Sequence, residues 1–589
     1  MSWFRGTVPA FRWELPGLNP AAPIVFINRS LDTKMPSSPS PEAAAPLIGS
    51  QAVVASLMLG GVTRGFGIPS IHNIAIYDVL RRVPAFQHWI VRHEQAAGYA
   101  ADAYYRRSGK IAAIFASTGP GNLLTLVPLL ESLQTGTPVV LIGTNVATTV
   151  LDRHCAALHE TPRQLEIIRP LTRFAARITS PDMIPATVAA AIAAGGPAFI
   201  EIPHDLLLAP LPAGVESAPV AAAASQAASP EEIAAAAGMI AQARRPVIVL
   251  GSSIVSQDAV APSIMLAETL QAPVVTTTTG KGVIAGDHPL AMGCLSRLGP
   301  VADLMSEGDL LIGIGARLTE FDTGRFSLRL PNRYLQIDAD AANQSDMFVA
   351  ELRVQGNVPA ILRGIAAKLG PRKPWFDAGE ARRQENVRLD SLGSAAYAGL
   401  LMLREKMARE DVLVNDQSIL NYWASAFFPV FGPRRFIYPS GSGTLGYGLP
   451  AAIGAACAGR QQGLEGRVIC IAGDGGFQYT SHELATLAQY QLPVKILLVN
   501  DNAYGIIGFL QRSFFGEMHE VQLKNPDFPA LAAAYGISAQ SVTDLDGLRE
   551  KMDEWLNSSG PALLEWRTEL KAPWEVGAIN RDAARSPKT

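Results

Sequence analysis

Asp474, inside "AGDGGF", and Asp501, inside "VNDNAYG", are the residues whose setting most plainly permits chemistry. Each follows a short apolar run of β type, "RVICIA" before the first and "VKILLV" (494–499) before the second, and 480–490 reads as a helix between them. Strand–turn–helix–strand units build parallel sheets, whose ligand crevices lie at the carboxyl ends of the strands. Both carboxylates are therefore expected in one crevice. Two carboxylates among amide and carbonyl oxygens suit a small hard cation such as Mg²⁺, which keeps few protein ligands and is completed by phosphate oxygens. The backbone N–H groups of Gly475 and Gly476, near a helix start, suit that phosphate.

Glu94, in "IVRHEQAAGYA", can be read as a helix-start glutamate favoured by the helix dipole. The small residues after it (Ala96, Ala97, Gly98, Ala100, Ala101) let its helix approach another backbone closely. A carboxylate beside such a wall is poorly solvated and suits proton exchange with a heterocycle. His93 reads as a positioning hydrogen-bonder. His72, in "GIPSIHN", follows a strand-end turn where it can face a crevice. Thr480 and Glu483 spell a capping box, with His482 a surface or cap residue. Gly441, Gly443 and Gly446 in "PSGSGTLGYGLPAAIGAA" fit G-x-G-x-x-G. No clean strand ending in an acidic ribose ligand follows, so a turn that brings backbone against any flat ligand fits equally well.

The elements that must position these residues fall into three blocks. At 589 residues the chain exceeds one core. An extension (1–46) opens it, reading as a flexible arm or as sequence upstream of a functional start at Met35. An α/β block over 47–215, an Ala/Ser/Pro linker, a second α/β block over 232–370, a polar helical connection, a third block over 390–575 and a tail (576–589) follow. Apolar runs alternating with helical segments predict three doubly wound parallel sheets of the α/β class. The third block mirrors the first in outline. With 48% apolar residues, 17% charged and a net charge of −3, the composition gives no reason to expect nucleic acid or a membrane as partner. Four cysteines without metal-ligand spacing point to a reduced, cytoplasmic setting.

"GDGGF…VNDNAYG" resembles the thiamine-diphosphate motif. "FGIPS", "RHEQAAGYAADAYYRRSGK", "STGPGN", "GKGVIAGDHPLAMG", "GARLTEFDTG", "IDAD" and "GTLGYGLPAAIGA" resemble, in order, the acetohydroxyacid synthase and pyruvate oxidase group of that superfamily. The resemblance implies a pyrimidine-binding domain, a central nucleotide-type domain and a diphosphate-binding domain. It implies that Glu94 bonds the pyrimidine and drives its imino form, and that Leu445 holds the cofactor bent. The carbonyl of Gly443 and the N–H of Leu445 would bind the pyrimidine edge. Asp474, Asp501 and the carbonyl of Ala503 would hold Mg²⁺, and Gly475, Gly476 and Tyr504 would complete the cofactor site. The implied reaction is decarboxylation of a 2-oxo acid, with or without capture by a second carbonyl, in a homodimer or homotetramer whose sites lie between subunits. FAD, ADP or no ligand stay open for the central domain, where Arg317 and Asp338 fall at strand ends.

Some positions depart from the acetohydroxyacid synthase pattern. Asp501 replaces an asparagine, Asn145 a glutamine, Leu510 an acceptor-selecting tryptophan, Arg173 a lysine and His72 a small residue. Ile71, His72, Asn145 and Leu510 are thus the substrate-facing candidates, and "GIPSIH" is closer to decarboxylases of larger polar 2-oxo acids. Acetolactate synthesis proper, cleavage of an acyl-CoA or diketone, and a catalytically silent subunit are the alternatives. An NAD dehydrogenase rests on the glycine fingerprint alone.

Overall fold

The computed structural model describes residues 46–215, 227–297 and 299–579. The extension, most of the first linker and the end of the tail lie outside the described residues. Among the described residues, buried runs of Val, Ile, Leu and Ala form eighteen strands in three six-stranded sheets. The first sheet holds β1 (Arg64–Gly67), β2 (Gln87–Ile90), β3 (Ala113–Ala116), β4 (Val140–Asn145), β5 (Phe174–Arg177) and β6 (Ala198–Pro203). The second holds β7 (Pro246–Leu250), β8 (Val274–Thr276), β9 (Ala291–Cys294), β10 (Leu310–Ile314), β11 (Arg333–Asp338) and β12 (Leu352–Gln355). The third holds β13 (Val412–Asn415), β14 (Phe436–Ile437), β15 (Val468–Gly473), β16 (Val494–Asn500), β17 (Ser538–Val542) and β18 (Ala562–Arg567).

Every strand pair is parallel, which requires a crossover between strands and explains the alternation in the sequence. The first sheet runs β2-β1-β3-β4-β6-β5 and the third β14-β13-β15-β16-β18-β17, the same order in each. The expected mirroring is thus a shared topology. The central sheet, β9-β8-β7-β10-β11-β12 read from one edge, has the 3-2-1-4-5-6 order of dinucleotide-binding folds.

Equivalent helices of the first and third blocks pack on one another. Glu94–Ser108 links β2 to β3, and Gly448–Gln462 links β14 to β15. Both are rich in Ala and Gly on the contact. A Cβ built on Gly454 would stand 2.0 Å from the Ala100 carbonyl oxygen, so the two backbones touch. One apolar core therefore runs from Phe66, Ile114 and Leu141 of the first sheet to Val412, Ile496 and Leu498 of the third. A buried polar network crosses the same seam. Arg106 meets Asp102 at 2.8 Å and Glu131 at 2.7 Å, and Tyr447 Oη donates to Asp102 at 2.6 Å.

The helix expected over 480–490 is instead two. Asp474–Thr480 begins on the aspartate itself, and Leu484–Tyr490 follows a tight turn at Ser481–Glu483. The capping box is absent. Thr480 Oγ1 donates to the Gly446 carbonyl at 3.0 Å, and Glu483 accepts from the Arg92 N–H at 2.8 Å, so both residues tie other segments together.

Candidate active site

β15 and β16 are neighbours, with Gly473 opposite Val499, so their carboxyl ends bring Asp474 and Asp501 side by side. Asp474 is buried and accepts from Asn525 Nδ2 at 2.6 Å. The same amide donates to Asn500 Oδ1 at 3.0 Å, and Asn500 donates to Glu565 at 2.7 Å. Burial and then the like charge of Asp474 push Asp501 up to about 7, and burial raises Asp474 as well. One carboxylate buried and one half-buried, so placed, repel each other when both are ionised, and that is a donor set a divalent ion fits. Among the described residues no group of three or more His, Cys, Asp or Glu is arranged for a metal, so an ion here depends on carbonyl and phosphate oxygens for the rest of its shell.

The surroundings fit a diphosphate. The Tyr504 ring lies over Gly475, where a Cβ would stand 2.6 Å from a ring carbon, leaving backbone as the lining. Ser418 caps the helix Ile419–Phe427 by accepting from Asn421 N–H at 3.2 Å, and it packs against Gly473. That helix and the one at Asp474 both start at this end of the sheet, where helix N-termini favour an anion.

The glycine turn is held from two sides. Asp416, fully buried and pushed up to about 6 by that burial, accepts from the N–H groups of Gln417, Gly446 and Gly448 at 2.7, 3.1 and 3.0 Å. Glu131, from the first block, accepts from Gly441 N–H at 3.1 Å and from Ser442 N–H and Oγ at 2.6 and 2.8 Å. Between these anchors Gly443 sits exposed at φ 65°, and Leu445 is half-buried. The turn follows a two-residue edge strand rather than a central one, which removes the structural context of a dinucleotide fingerprint.

Glu94 is the first residue of its helix, after the carboxyl end of β2, and His93 Nδ1 caps that helix by accepting from Gln95 N–H at 3.2 Å. Glu94 Oε1 lies 3.2 Å from where a Cβ of Gly121 would be, beside the turn after β3. Its carboxylate makes no side-chain hydrogen bond among the described residues. His72 is buried at the same edge, between the rings of His159 and His204. Ile71 is 70% exposed. Asn145 is buried, donating to Glu201 at 2.9 Å and accepting from Val146 N–H at 2.7 Å. Leu510 is half-buried on Gly505–Phe515 in the third block. Arg173 pairs with Asp340 at 2.6 Å.

A cleft of about 1530 Å³ runs from the carboxyl edge of the central sheet, at Gly315, Ala339 and Gly356, to Gln417 and Gly443. Arg317 lines it and donates to the Gln134 carbonyl at 3.1 Å. Asp338 accepts from Asp340 N–H and Asn343 Nδ2 within its own turn.

Several supporting residues escape a reading of the sequence. Asn525 carried only a turn signal in "KNPDF", and Asp416–Ser418 a strand-end and cap signal in "VNDQS". Glu131, His159 and His204 carried none, because sheet order alone brings them to the site.

Comparison with known proteins agrees with this geometry. The thiamine pyrophosphate enzyme N-terminal TPP binding domain matches residues 48–167, the central domain 233–365 and the C-terminal TPP binding domain 417–566. The chain is 32% identical over 538 residues to a probable 2-ketoarginine decarboxylase AruI of Pseudomonas aeruginosa, covering 88% of this chain and 94% of that one. It is 31% identical over 551 residues to the acetolactate synthase isozyme 2 large subunit of Escherichia coli, covering 91% and 98%. An X-ray structure described as a thiamin diphosphate-dependent enzyme from Mycobacterium smegmatis superposes with a TM-score of 0.75 at 22% identity, covering 89% of this chain and 99% of that one. The chain belongs to the thiamine-diphosphate-dependent enzymes, in their acetohydroxyacid synthase and pyruvate oxidase-like group.

Proposed function

We propose that the protein is a thiamine-diphosphate- and Mg²⁺-dependent decarboxylase of a 2-oxo acid, whose active site forms where the first block of one copy meets the third block of another. The observation that supports this reading is that Glu94 and the Asp474–Asp501 pair each stand at the carboxyl edge of a sheet, in two sheets of one topology. Asp474, Asp501 and Ala503 would hold the cation, and Gly475, Gly476 and Tyr504 the diphosphate beside it. Gly443 and Leu445 would meet the pyrimidine, and Glu94 would exchange a proton with it. The cofactor supplies the electron sink that lets the carboxylate leave. The protein binds, bends and desolvates it.

A second copy as neighbour is supported by large apolar side chains left uncovered in both blocks. Ile74 in the first block and Phe514 in the third are 64% and 65% exposed, and Phe515 is 81% exposed. His72 supports a donor larger and more polar than pyruvate, and Leu510, smaller than the acceptor-selecting tryptophan of acetolactate synthases, supports a different acceptor or none. The test is CO₂ release from a panel of 2-oxo acids, 2-ketoarginine among them, with and without cofactor and Mg²⁺, with products weighed by mass spectrometry. Cofactor-dependent release with an aldehyde product is expected. A hydroxyketone product makes the enzyme a carboligase, and no release from any acid overturns the reading.

A further inference from the structure

The segment Asp416 to Ser418 joins β13 to the helix Ile419–Phe427, and it lies wedged between the two turns that would meet the cofactor. On one side is the turn from Gly473 to Gly476. A Cβ built on Gly473 would stand 3.1 Å from Ser418 Cβ, and one built on Gly476 would stand 3.0 Å from an Asp416 carboxylate oxygen. On the other side is the glycine turn. A Cβ built on Gly448 would stand 2.9 Å from Asp416 Cβ, and one built on Gly443 would stand 3.4 Å from Gln417 Nε2. Glycine on both flanks lets the same short segment touch both turns.

Asp416 is the deep member of this segment. Its side chain is fully buried and accepts from the N–H groups of Gln417, Gly446 and Gly448. Burial pushes it up to about 6, so at about pH 8 it is ionised and these N–H groups meet an anion. Such a carboxylate is costly to keep when backbone N–H groups alone offset its burial. A carboxylate presents an acceptor to all three N–H groups, whereas a carboxamide would set its NH₂ against one of them.

Gly446 is gripped from the opposite side as well. Thr480, 1% exposed, donates from Oγ1 to the Gly446 carbonyl at 3.0 Å. Thr480 ends the helix Asp474–Thr480, whose first turn carries Gly475 and Gly476. Gly446 thus has its N–H on Asp416 and its carbonyl on the helix of the other turn. Its φ of 78° and the approach of Tyr479 Cβ, 2.6 Å from where a Cβ would be, keep that contact close.

We propose that Asp416 and Thr480 are positioning residues that fix the distance between the pyrimidine turn and the diphosphate turn, and with it the fit of the whole cofactor. The inference rests on the reading above, in which Gly443 and Leu445 meet the pyrimidine while Gly475 and Gly476 hold the diphosphate. Thiamine diphosphate must engage both turns at once, whereas pyrophosphate needs only the second. Loosening Gly446 lets the turns part. The diphosphate turn keeps its own supports, the Asn525 amide on Asp474 and the Tyr504 ring over Gly475.

The test is calorimetric titration of the full chain at about pH 8 in Mg²⁺ buffer, with thiamine diphosphate and inorganic pyrophosphate as separate probes. Asp416→Asn should bind thiamine diphosphate roughly 10–100-fold more weakly, the range of a lost charge-assisted hydrogen bond, and pyrophosphate within about twofold of wild type. Thr480→Val removes the hydroxyl with little change of shape, and gives the reading should Asp416→Asn fail to fold. It should show the same split at about 3–10-fold, the range of a neutral hydrogen bond. A residue that merely supports the third block would weaken both probes by one factor, so a loss for pyrophosphate as large as that for thiamine diphosphate overturns the proposal. Wild-type affinity for thiamine diphosphate in either folded variant overturns it as well. So does a wild type that binds thiamine diphosphate but not pyrophosphate, because the diphosphate turn is then no separate anchor. In each of these cases thiamine diphosphate binding by the wild type leaves the reading of the function intact. A wild type that does not bind thiamine diphosphate overturns the reading and the proposal together.

Discussion

Replacing Glu131 tests whether the first block of a chain holds the cofactor turn of its own third block. The carboxylate is fully buried and serves four donors: Arg106 Nη2 at 2.7 Å, Gly441 N–H at 3.1 Å, Ser442 N–H at 2.6 Å and Ser442 Oγ at 2.8 Å. Glu131→Ala strands three of them and removes one of the two carboxylates around Arg106. Breaking a buried ion pair costs about 3–5 kcal/mol. Asp102 still neutralises the guanidinium at 2.8 Å, so a value near the lower end, about 3 kcal/mol, is expected. Glu131→Gln keeps the shape and one acceptor oxygen but turns an NH₂ group toward a donor, and about 1–2 kcal/mol follows from the lost charge-assisted bond. Because Gly441 and Ser442 lead straight into Gly443 and Leu445, part of this loss should appear as cofactor affinity, tenfold for each ~1.4 kcal/mol. Thermal unfolding monitored by tryptophan fluorescence and thiamine diphosphate titration measure the two. The order wild type, Gln, Ala is expected in both. A Gln variant with wild-type melting and wild-type cofactor affinity would refute the reasoning.

Three further outcomes follow from the geometry. Glu94→Gln should leave diphosphate binding largely intact and slow turnover by about 10²–10⁴-fold, as loss of an acid–base group does; normal turnover removes Glu94 from the chemistry. Asp474→Ala should abolish retention of thiamine diphosphate in Mg²⁺ buffer, measured by equilibrium dialysis, and wild-type retention would contradict the metal assignment. Lys281 donates to the carbonyls of Ala424 and Ser425 at 3.0 and 2.8 Å, and burial pushes its ammonium down to about 8. Its folded state thus binds fewer protons than the unfolded chain between about 8 and the ordinary lysine value. The stability of the wild type relative to Lys281→Met should rise with pH across that window and be lost as pH falls through it, which denaturant titrations at several pH values check.

Much of the fold was legible because parallel strands buried on both faces read as unbroken apolar runs. "RVICIA", "VKILLV" and "IAAIFAS" each become a strand. The turn proposed to hold the metal is a local pattern: Gly473 to Gly476 supply strand end, carboxylate and helix start within a few residues. The capping box at Thr480 and Glu483 misled because the same residue types serve contacts to Gly446 and Arg92, which no local pattern announces. The glycine fingerprint was ambiguous for a related reason, since its meaning depends on whether the preceding strand is central or at an edge. Glu131 and the histidine cluster were invisible for a further reason. Their partners are distant in sequence, and only the order of the strands brings them together.

The most direct test of the account is complementation between Glu94→Gln and Asp474→Ala. If each active site joins Glu94 of one copy to the Asp474–Asp501 pair of another, co-expressed and co-purified variants form hybrid dimers with one intact site. Random pairing then restores about a quarter of wild-type activity, although each variant alone is nearly inactive. Activity of the mixture no greater than the average of the two separate variants would contradict a site shared between copies.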